Sequence, residues 1–563
     1  MNIRLLATLA APAALLLGAL AAPAEAISLK PIGTYESGAF DEGAAEISAF
    51  APGVNRLFVT NANANTIDVL DLSDPTAISK LFQIDLSPYG GGINSVAYNS
   101  ADGGYIAAAV ESDPAQDPGK VVFFDLDGIF QNALTVGALP DMVTFTPDGS
   151  KLLVANEGEP SGYEAGDVDP EGSVSIIDVS GGVLGLTDAD VNFATFNAFD
   201  SQKQDLIDAG VRIFGPGASV SQDLEPEYIA VSEDGKTAYV SLQENNAIAI
   251  LNLETGEFEE IVPLGFKDHN TAGNGLDASD RDDAINIANH PVLGMYQPDA
   301  IATYTVGGQT YIVTANEGDA REYDGFAEEE RVKDLDLADT FGSEAERESL
   351  QADEAIGRLT VTTTLGENAD GEYEALYAFG TRSFSIWDED GNLVWDSGDQ
   401  FEQKLAALLP DDFNATNDEN DSFDNRSDNK GPEPEGVTIG AIGGKVFAFI
   451  GLERIGGVMV YDVTDPTNPV FATYTNNRDF SGDAEAGTAG DLGPEGLIFI
   501  SREDSPTGQN LVVVTNEISG TTTVYKAVPE PGTVTGLLVM GAMGAMGLKR
   551  QRQPRVYSRR HLG

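Results

Sequence analysis

Short apolar runs of strand length, each stopped by Asn or Glu, recur along this chain. The clearest are Leu152-Leu-Val-Ala-Asn-Glu157, Ile312-Val-Thr-Ala-Asn-Glu317 and Val512-Val-Val-Thr-Asn-Glu517, with looser echoes ending at Asn63, Glu244 and Glu453. In most copies a second run follows, as in Val174–Asp178, Ala247–Asn252 and Val458–Asp462. Upstream of several copies lies a third, opened by Pro and an acid: Pro140-Asp141, Pro226-Glu227, Pro298-Asp299, Pro434-Glu435 and Pro494-Glu495. Asp148-Gly149 and Asp234-Gly235 fall between runs, where a hairpin turn needs residues that tolerate positive φ. Antiparallel meanders repeated at a long period, with no intervening βαβ pattern, predict an all-β fold, a β-propeller. Seven or eight blades result, depending on whether the run opened by Pro298-Asp299 shares a blade with the runs Leu376–Phe379, Phe384–Trp387 and Leu393–Trp395. The early stretch Lys30–Tyr35 has no repeat of its own, and we expect it to supply the outer strand of the last blade. Ring closure removes the exposed sheet edge.

Insertions break the period. Residues 200–210 carry a Ser201/Gln204 capping-box spacing and a terminal Gly, which predicts a short helix. Glu322–Glu354, rich in Glu, Asp and Ala, predicts an exposed, partly helical excursion. Phe401–Leu409 predicts another short helix, stopped by Pro410, and Asp411–Lys430 a long Asn/Asp-rich loop.

The two ends differ from this body. Residues 1–26 read as an export signal: Arg4, an apolar stretch from Leu5 to Leu20, then the small-x-small site Ala24-Glu25-Ala26. We expect the propeller to span residues 27–527. Residues 528–563 begin with Val528-Pro-Glu-Pro531, continue with the uncharged Thr533–Leu548, a short transmembrane helix, and end in a basic tail. That order resembles the PEP-CTERM sorting signal, which implies an exosortase-type processing enzyme as partner. It also implies a protein exported to the cell envelope, cell surface or extracellular matrix, with envelope or matrix polysaccharide as a further partner.

Composition narrows the chemistry. The 563 residues contain no cysteine and three histidines, which removes thiolate sites and leaves no redundant histidine set for zinc. The formal charge is −60, with 91 acidic against 31 basic side chains. Such a surface repels nucleic acid and attracts cations. In a propeller blade the loop into the innermost strand and the loop between the second and third strands open on one face. The Pro-acid positions and the Asn-Glu positions therefore converge at the channel mouth, among them Glu157, Glu317, Glu435 and Glu495. Oxygen donors without histidine suit Ca²⁺, and also Mg²⁺, rather than zinc. A second cation candidate is the acid-dense loop of Asp277, Asp280, Asp282 and Asp283. Basic residues are scarce, yet Arg321, Arg382, Arg426, Lys430 and Arg454 lie in the mouth loops. They are candidates either for local pairing with the acids or for clamping phosphate oxygens.

The motifs Lys267-Asp-His269, Leu276–Asp280, Ala315-Asn-Glu-Gly-Asp319, Phe379–Phe384 and Arg426–Gly436 occur in an order that resembles the choice-of-anchor I domain family. The resemblance covers about residues 30–526. It implies a surface propeller related to mesenchyme-specific cell-surface glycoproteins, and some bacterial members carry an alkaline phosphatase label. Two classes of function follow. One is a non-enzymatic, Ca²⁺-binding surface or matrix module. The other is a Ca²⁺-dependent phosphoesterase using a cation cluster at the mouth.

Overall fold

A computed structural model describes residues 27–529. Their runs of apolar residues form seven four-stranded sheets. The innermost strands are Ser48–Ala51, Gly92–Asn99, Pro140–Phe145, Ile229–Val231, Ile301–Val306, Pro434–Ile442 and Pro494–Ile500, which define blades one to seven. Each packs beside the next, and the last packs beside the first, so the sheets close a ring. The fold is an all-β propeller.

The burial pattern explains why the repeats read as unbroken apolar runs. Second and third strands lie between two neighbouring blades and are covered on both faces, as in Lys151–Asn156 and Ala247–Asn252. Fourth strands form the rim. Glu257–Pro263, for example, hides Phe258 and Ile261 and turns its glutamates outward. The core is thus a set of seams between blades, such as Leu153, Val174, Ile176, Ala238, Val240 and Ala249 between blades three and four.

Blade number is settled by an insertion. Gln309–Asn316 pairs directly with Ser383–Asp388, which pairs with Leu393–Asp396. The repeats on either side of residues 317–382 therefore share blade five, and the count is seven. The expected closing strand is present as Ile27–Glu36, the outer strand of blade seven beside Thr521–Pro529. Thr34 and Thr523 hydroxyls meet there at 2.8 Å.

The insertions hold the expected short helices and add strands of their own. Within Glu322–Glu354 a hairpin pairs Glu322–Tyr323 with Phe326–Ala327, followed by the strand Glu329–Arg331 and only one α-helix, Glu344–Leu350. Glu329–Arg331 joins Phe266–Asp268, Leu293–Met295, Thr360–Thr362 and Tyr377–Ala378 in a five-stranded satellite sheet. That sheet has its own core around Val332, Ile356, Leu359, Val361 and Leu376. In the 200–210 segment the α-helix is Lys203–Ala209, stopped by Gly210 at φ 111°. The expected Ser201/Gln204 box does not form, because a 3₁₀ turn over Asn197–Gln202 precedes the helix and its N-cap is Gln202. The helix expected over Phe401–Leu409 spans Gln400–Leu408 and buries Phe401 and Leu405.

Membrane attachment through a C-terminal helix is corrected: among the described residues no helix is long and apolar enough to cross a membrane. The Thr533–Leu548 stretch, the remainder of the sorting signal and the export signal over 1–26 lie outside the described residues.

Candidate functional site

Each blade offers two positions to the mouth, and local backbone geometry sets both. In blades three, six and seven the innermost strand slips register just after its opening proline: Pro140, Pro434 and Pro494 pair across to the second strand, and pairing resumes only at Val143, Val437 and Leu497. Asp141, Glu435 and Glu495 sit in these bulges. A bulge inserts an unpaired residue and re-aims its side chain. The equivalent position in blade two is Asn94, between the paired Ile93 and Ser95. Glu46, Glu227 and Asp299 hold it in the remaining blades, so six acids and one amide lead into the seven inner strands. Asn94, Asp141, Asp299 and Glu495 line an axial cavity of about 60 Å³ together with Tyr228.

The second position ends the second strand. Here the Asn and the Glu of the repeat separate in role. Asn156 donates to Ser175 Oγ at 2.9 Å and accepts from Gly137 N, and Asn316 donates to Ser385 Oγ at 2.8 Å. These amides tie the second strand to the third and do not turn to the mouth. The glutamates that follow do.

Three groups of carboxylates come together, each with ligand oxygens all within 4.8 Å of one another: Glu157/Glu227/Glu244, Asp299/Glu317/Glu435 and Glu317/Glu433/Glu453. Of the acids read from sequence, Glu157, Glu227, Asp299, Glu317, Glu435 and Glu453 fall in these groups, and Glu495 stands on the axial cavity. Glu433 is the partner that pattern misses, and Glu244, which ends one of the looser echoes, stands slightly out of register. Glu244 lies one residue past the repeat's Glu position, which Gln243 occupies. Glu433 precedes the Pro-acid pair and adopts φ 48°.

The groups differ in counter-charge. Glu433 is fully buried and receives Arg426, Lys430 and Arg454, with Arg454 Nε at 2.7 Å and Lys430 Nζ at 3.4 Å. Burial opposes ionisation of Glu433, but the three cations outweigh it and hold the carboxyl well below its ordinary range. Lys430 also reaches Glu317 at 2.7 Å, and Arg454 reaches Glu453 at 2.9 Å. Among the described residues no Lys or Arg forms an ion pair with Glu157, Glu227 or Glu244. Glu244 is 3% exposed, and its Oε2, like Glu227 Oε2, is sealed from solvent without a hydrogen-bond partner. Burial, reinforced by Glu159 and Asp141, pushes Glu157 well above the usual carboxylate range. Burial with Glu244 and Asp299 does the same to Glu227. Glu244 is pushed up to about 8, burial outweighing the opposing charge of Arg321.

The remaining candidates are engaged elsewhere. Arg321 is buried on Asp223 at 2.7 Å and Glu225 at 2.6 Å, with its guanidinium 4.6 Å from the Phe214 ring. Arg382 binds Glu402 at 2.7 Å and the carbonyls of Ser427 and Asn429. In the acid-dense loop, Asp277 accepts from the backbone of Asn286, Asp280 pairs with Arg281 and Arg358, and Asp282 accepts from Ala284 N. Asp283 is exposed. These four are not among the convergent groups.

Comparison with known proteins places this architecture. Gigasin-3a of Magallana gigas is 33% identical over 188 residues, 31% of this chain and 66% of that protein. The mesenchyme-specific cell surface glycoprotein of Strongylocentrotus purpuratus is 29% identical over 314 residues, 48% of this chain and 40% of that protein. The chain thus spans less than two thirds of the length of either relative. Among solved structures, the β-propeller domain of Myceliophteria thermophila Cps50 (Swd1) superposes with a TM-score of 0.42 at 9% identity, covering 89% of this chain and 100% of that one. The model of the choice-of-anchor I domain matches residues 46–466, from the acid that leads into blade one to the turn after the third strand of blade six, and the chain belongs to that family.

Proposed function

We propose that this propeller is a surface protein whose channel mouth binds a hard divalent cation, Ca²⁺ in preference to Mg²⁺, through Glu157, Glu227 and Glu244. The observation that carries the reading is a trio of converging carboxylates, none of them in ion-pair contact with a described Lys or Arg, with two sealed, unpartnered oxygens. Such a group either keeps its protons or takes a cation, because like charges so close repel. Two oxygens on one Ca²⁺ lie at most about 5 Å apart, twice the Ca–O distance of about 2.3–2.6 Å. The spread of the trio meets that limit. Mg²⁺ demands shorter bonds and a near-octahedral shell, which makes it the poorer fit. The likeness to a cell surface glycoprotein supports an exported, surface or extracellular setting, where Ca²⁺ is plentiful.

The phosphoesterase alternative draws less support. Arg321, Arg382, Arg426, Lys430 and Arg454 are each bound to carboxylates or carbonyls, so a phosphate would have to displace an internal partner from each.

The test is calorimetric titration of chelator-stripped full chain with Ca²⁺ and with Mg²⁺. The reading expects saturable Ca²⁺ binding that the double variant Glu157→Gln/Glu244→Gln loses. Undiminished binding in that variant sinks the assignment.

A further inference from the structure

Two acid-rich loops, residues 277–283 and 411–430, meet at one seam. Arg358 bridges them, binding Asp280 of the first and Asp428 of the second, the latter at 2.7 Å. Arg382 does the same through backbone, donating to the carbonyls of Asp277, Ser427 and Asn429. At the seam Glu402 accepts from Asp277 N at 3.0 Å through one oxygen and from Asn414 Nδ2 at 2.9 Å through the other. Asn414 Nδ2 also donates to Ser427 Oγ at 2.9 Å, and that hydroxyl donates to Asp424 Oδ1 at 2.5 Å. Asp277, Glu402, Asn414, Ser427 and Asp424 thus form one connected set, each at most 2% exposed.

The set is short of donors. Asn414 spends its amide hydrogens on Glu402 and Ser427 and leaves Oδ1 sealed from solvent without a partner, and Asp424 leaves Oδ2 in the same state. One hydroxyl, that of Ser427, holds both side chains, which brings the two free oxygens to one place. Burying a polar oxygen without a partner is costly. Protonation can quiet a carboxylate, but it gives an amide carbonyl nothing, so Asn414 Oδ1 calls for a donor or a cation. The balance of charge favours the cation. Among the described residues no Lys or Arg forms an ion pair with Asp277 or Asp424, while Arg382 is taken by Glu402 and Arg358 by Asp280 and Asp428. Burial raises Asp277 to about 7 and Asp424 to about 8, and the charges of Asp277, Asp282 and Glu402 add to the rise at Asp424.

We propose that this seam binds one Ca²⁺ through Asp424 and Asn414, with Asp277 as the neighbouring carboxylate, and that the ion pins the two loops together. Ca²⁺ accepts carboxylates and Asn carbonyls in one flexible shell. Mg²⁺ sheds its water reluctantly, which disfavours it in a seam sealed from solvent. None of these residues belongs to the carboxylate groups of the mouth, so the site stands independently of Glu157, Glu227 and Glu244.

The experiment is hydrogen-exchange mass spectrometry of the chelator-stripped full chain, in Ca²⁺ and in Na⁺ of the same ionic strength. Ca²⁺ is expected to slow exchange in residues 276–286 and 413–429, by up to about a hundredfold at a hundredfold excess over Kd. The slowing is expected to survive in the mouth variant Glu157→Gln/Glu244→Gln and to be lost in Asp424→Asn and in Asp277→Asn. Equal exchange of these segments in Ca²⁺ and in Na⁺ overturns the proposal and leaves a buried water as the partner of the two oxygens. Slowing that persists in Asp424→Asn overturns it as well, and so does slowing that disappears in the mouth variant. Should the seam variants fail to fold, the wild type and the mouth variant still decide, since neither alters the seam.

Discussion

Two glutamates at the mouth stand in opposite surroundings. Glu433 sits among three cations, and Glu244 has none in ion-pair contact. Glu433→Gln strands Arg426, Lys430 and Arg454 around a neutral amide, and breaking a buried ion pair in this way costs about 3–5 kcal/mol. A lowered urea midpoint, the same with and without Ca²⁺, is the expected readout. Glu244→Gln should change sign with the ion: it removes repulsion and raises the melting temperature in chelator, and it lowers the melting temperature in Ca²⁺ by deleting a ligand. A loss of stability under both conditions would show that Glu244 is merely structural. The pH profile follows from the same residues. Burial raises Glu46 from 4.5 to about 8, with Glu517 next to it, Asp141 from 3.8 to about 7 beside Glu159, and Glu244 from 4.5 to about 8. Between the unfolded and folded values the native chain holds protons that the unfolded chain has released, so stability falls as pH rises. In chelator, stability is expected to be greatest near pH 4 and to decline up to pH 8. Saturating Ca²⁺ should flatten that decline, and denaturant melts at pH 5 and pH 8 would register it.

Among the elements, the strand Ile27–Glu36 has the simplest task and the most to lose. It is held in blade seven by Thr521–Pro529, and Ile27 and Leu29 bury their side chains against Phe447, Val460 and Tyr525. Leu29→Ala is expected to cost about 2–5 kcal/mol and to speed amide exchange first in Thr521–Pro529, which hydrogen-exchange mass spectrometry would resolve. This strand was legible in the sequence because a propeller lacking a strand at one end needs it from the other. The strands of blade five were harder to join. Gln309–Asn316 and Ser383–Asp388 are adjacent in space across an insertion of 66 residues, and local pattern carries no record of a pairing so distant. The acids at the mouth were legible as positions, since Pro-acid and Asn-Glu recur in register. Their roles were not: Asn156 and Asn316 turn inward to brace strands, and the Asp277–Asp283 loop meets backbone amides and arginines. Both outcomes depend on partners far away in the chain. The one expected capping box failed for a similar reason. Ser201 lies in a 3₁₀ turn over Asn197–Gln202 that starts too early for one.

At the scale of the whole molecule, charge and fold interact. A ring that points carboxylates at one axis concentrates repulsion there, and a bound ion relieves it. At a hundredfold excess over Kd, one ion adds about 2.7 kcal/mol. Unfolding entropy of about 2 cal/mol/K per residue turns that into roughly 2–3 °C for a body of this size. Scanning calorimetry in Ca²⁺ against the same ionic strength of Na⁺ is the check, since screening alone shows no preference. The join between Ile27–Glu36 and Thr521–Pro529 has a further consequence. Its two partners are the first and last strands of the described chain to leave the ribosome, so the ring cannot seal until synthesis has passed Pro529. Every shorter product keeps an unpaired edge on blade seven, which marks it out for proteases. Sealing thus reports that the propeller body has been made to its last strand.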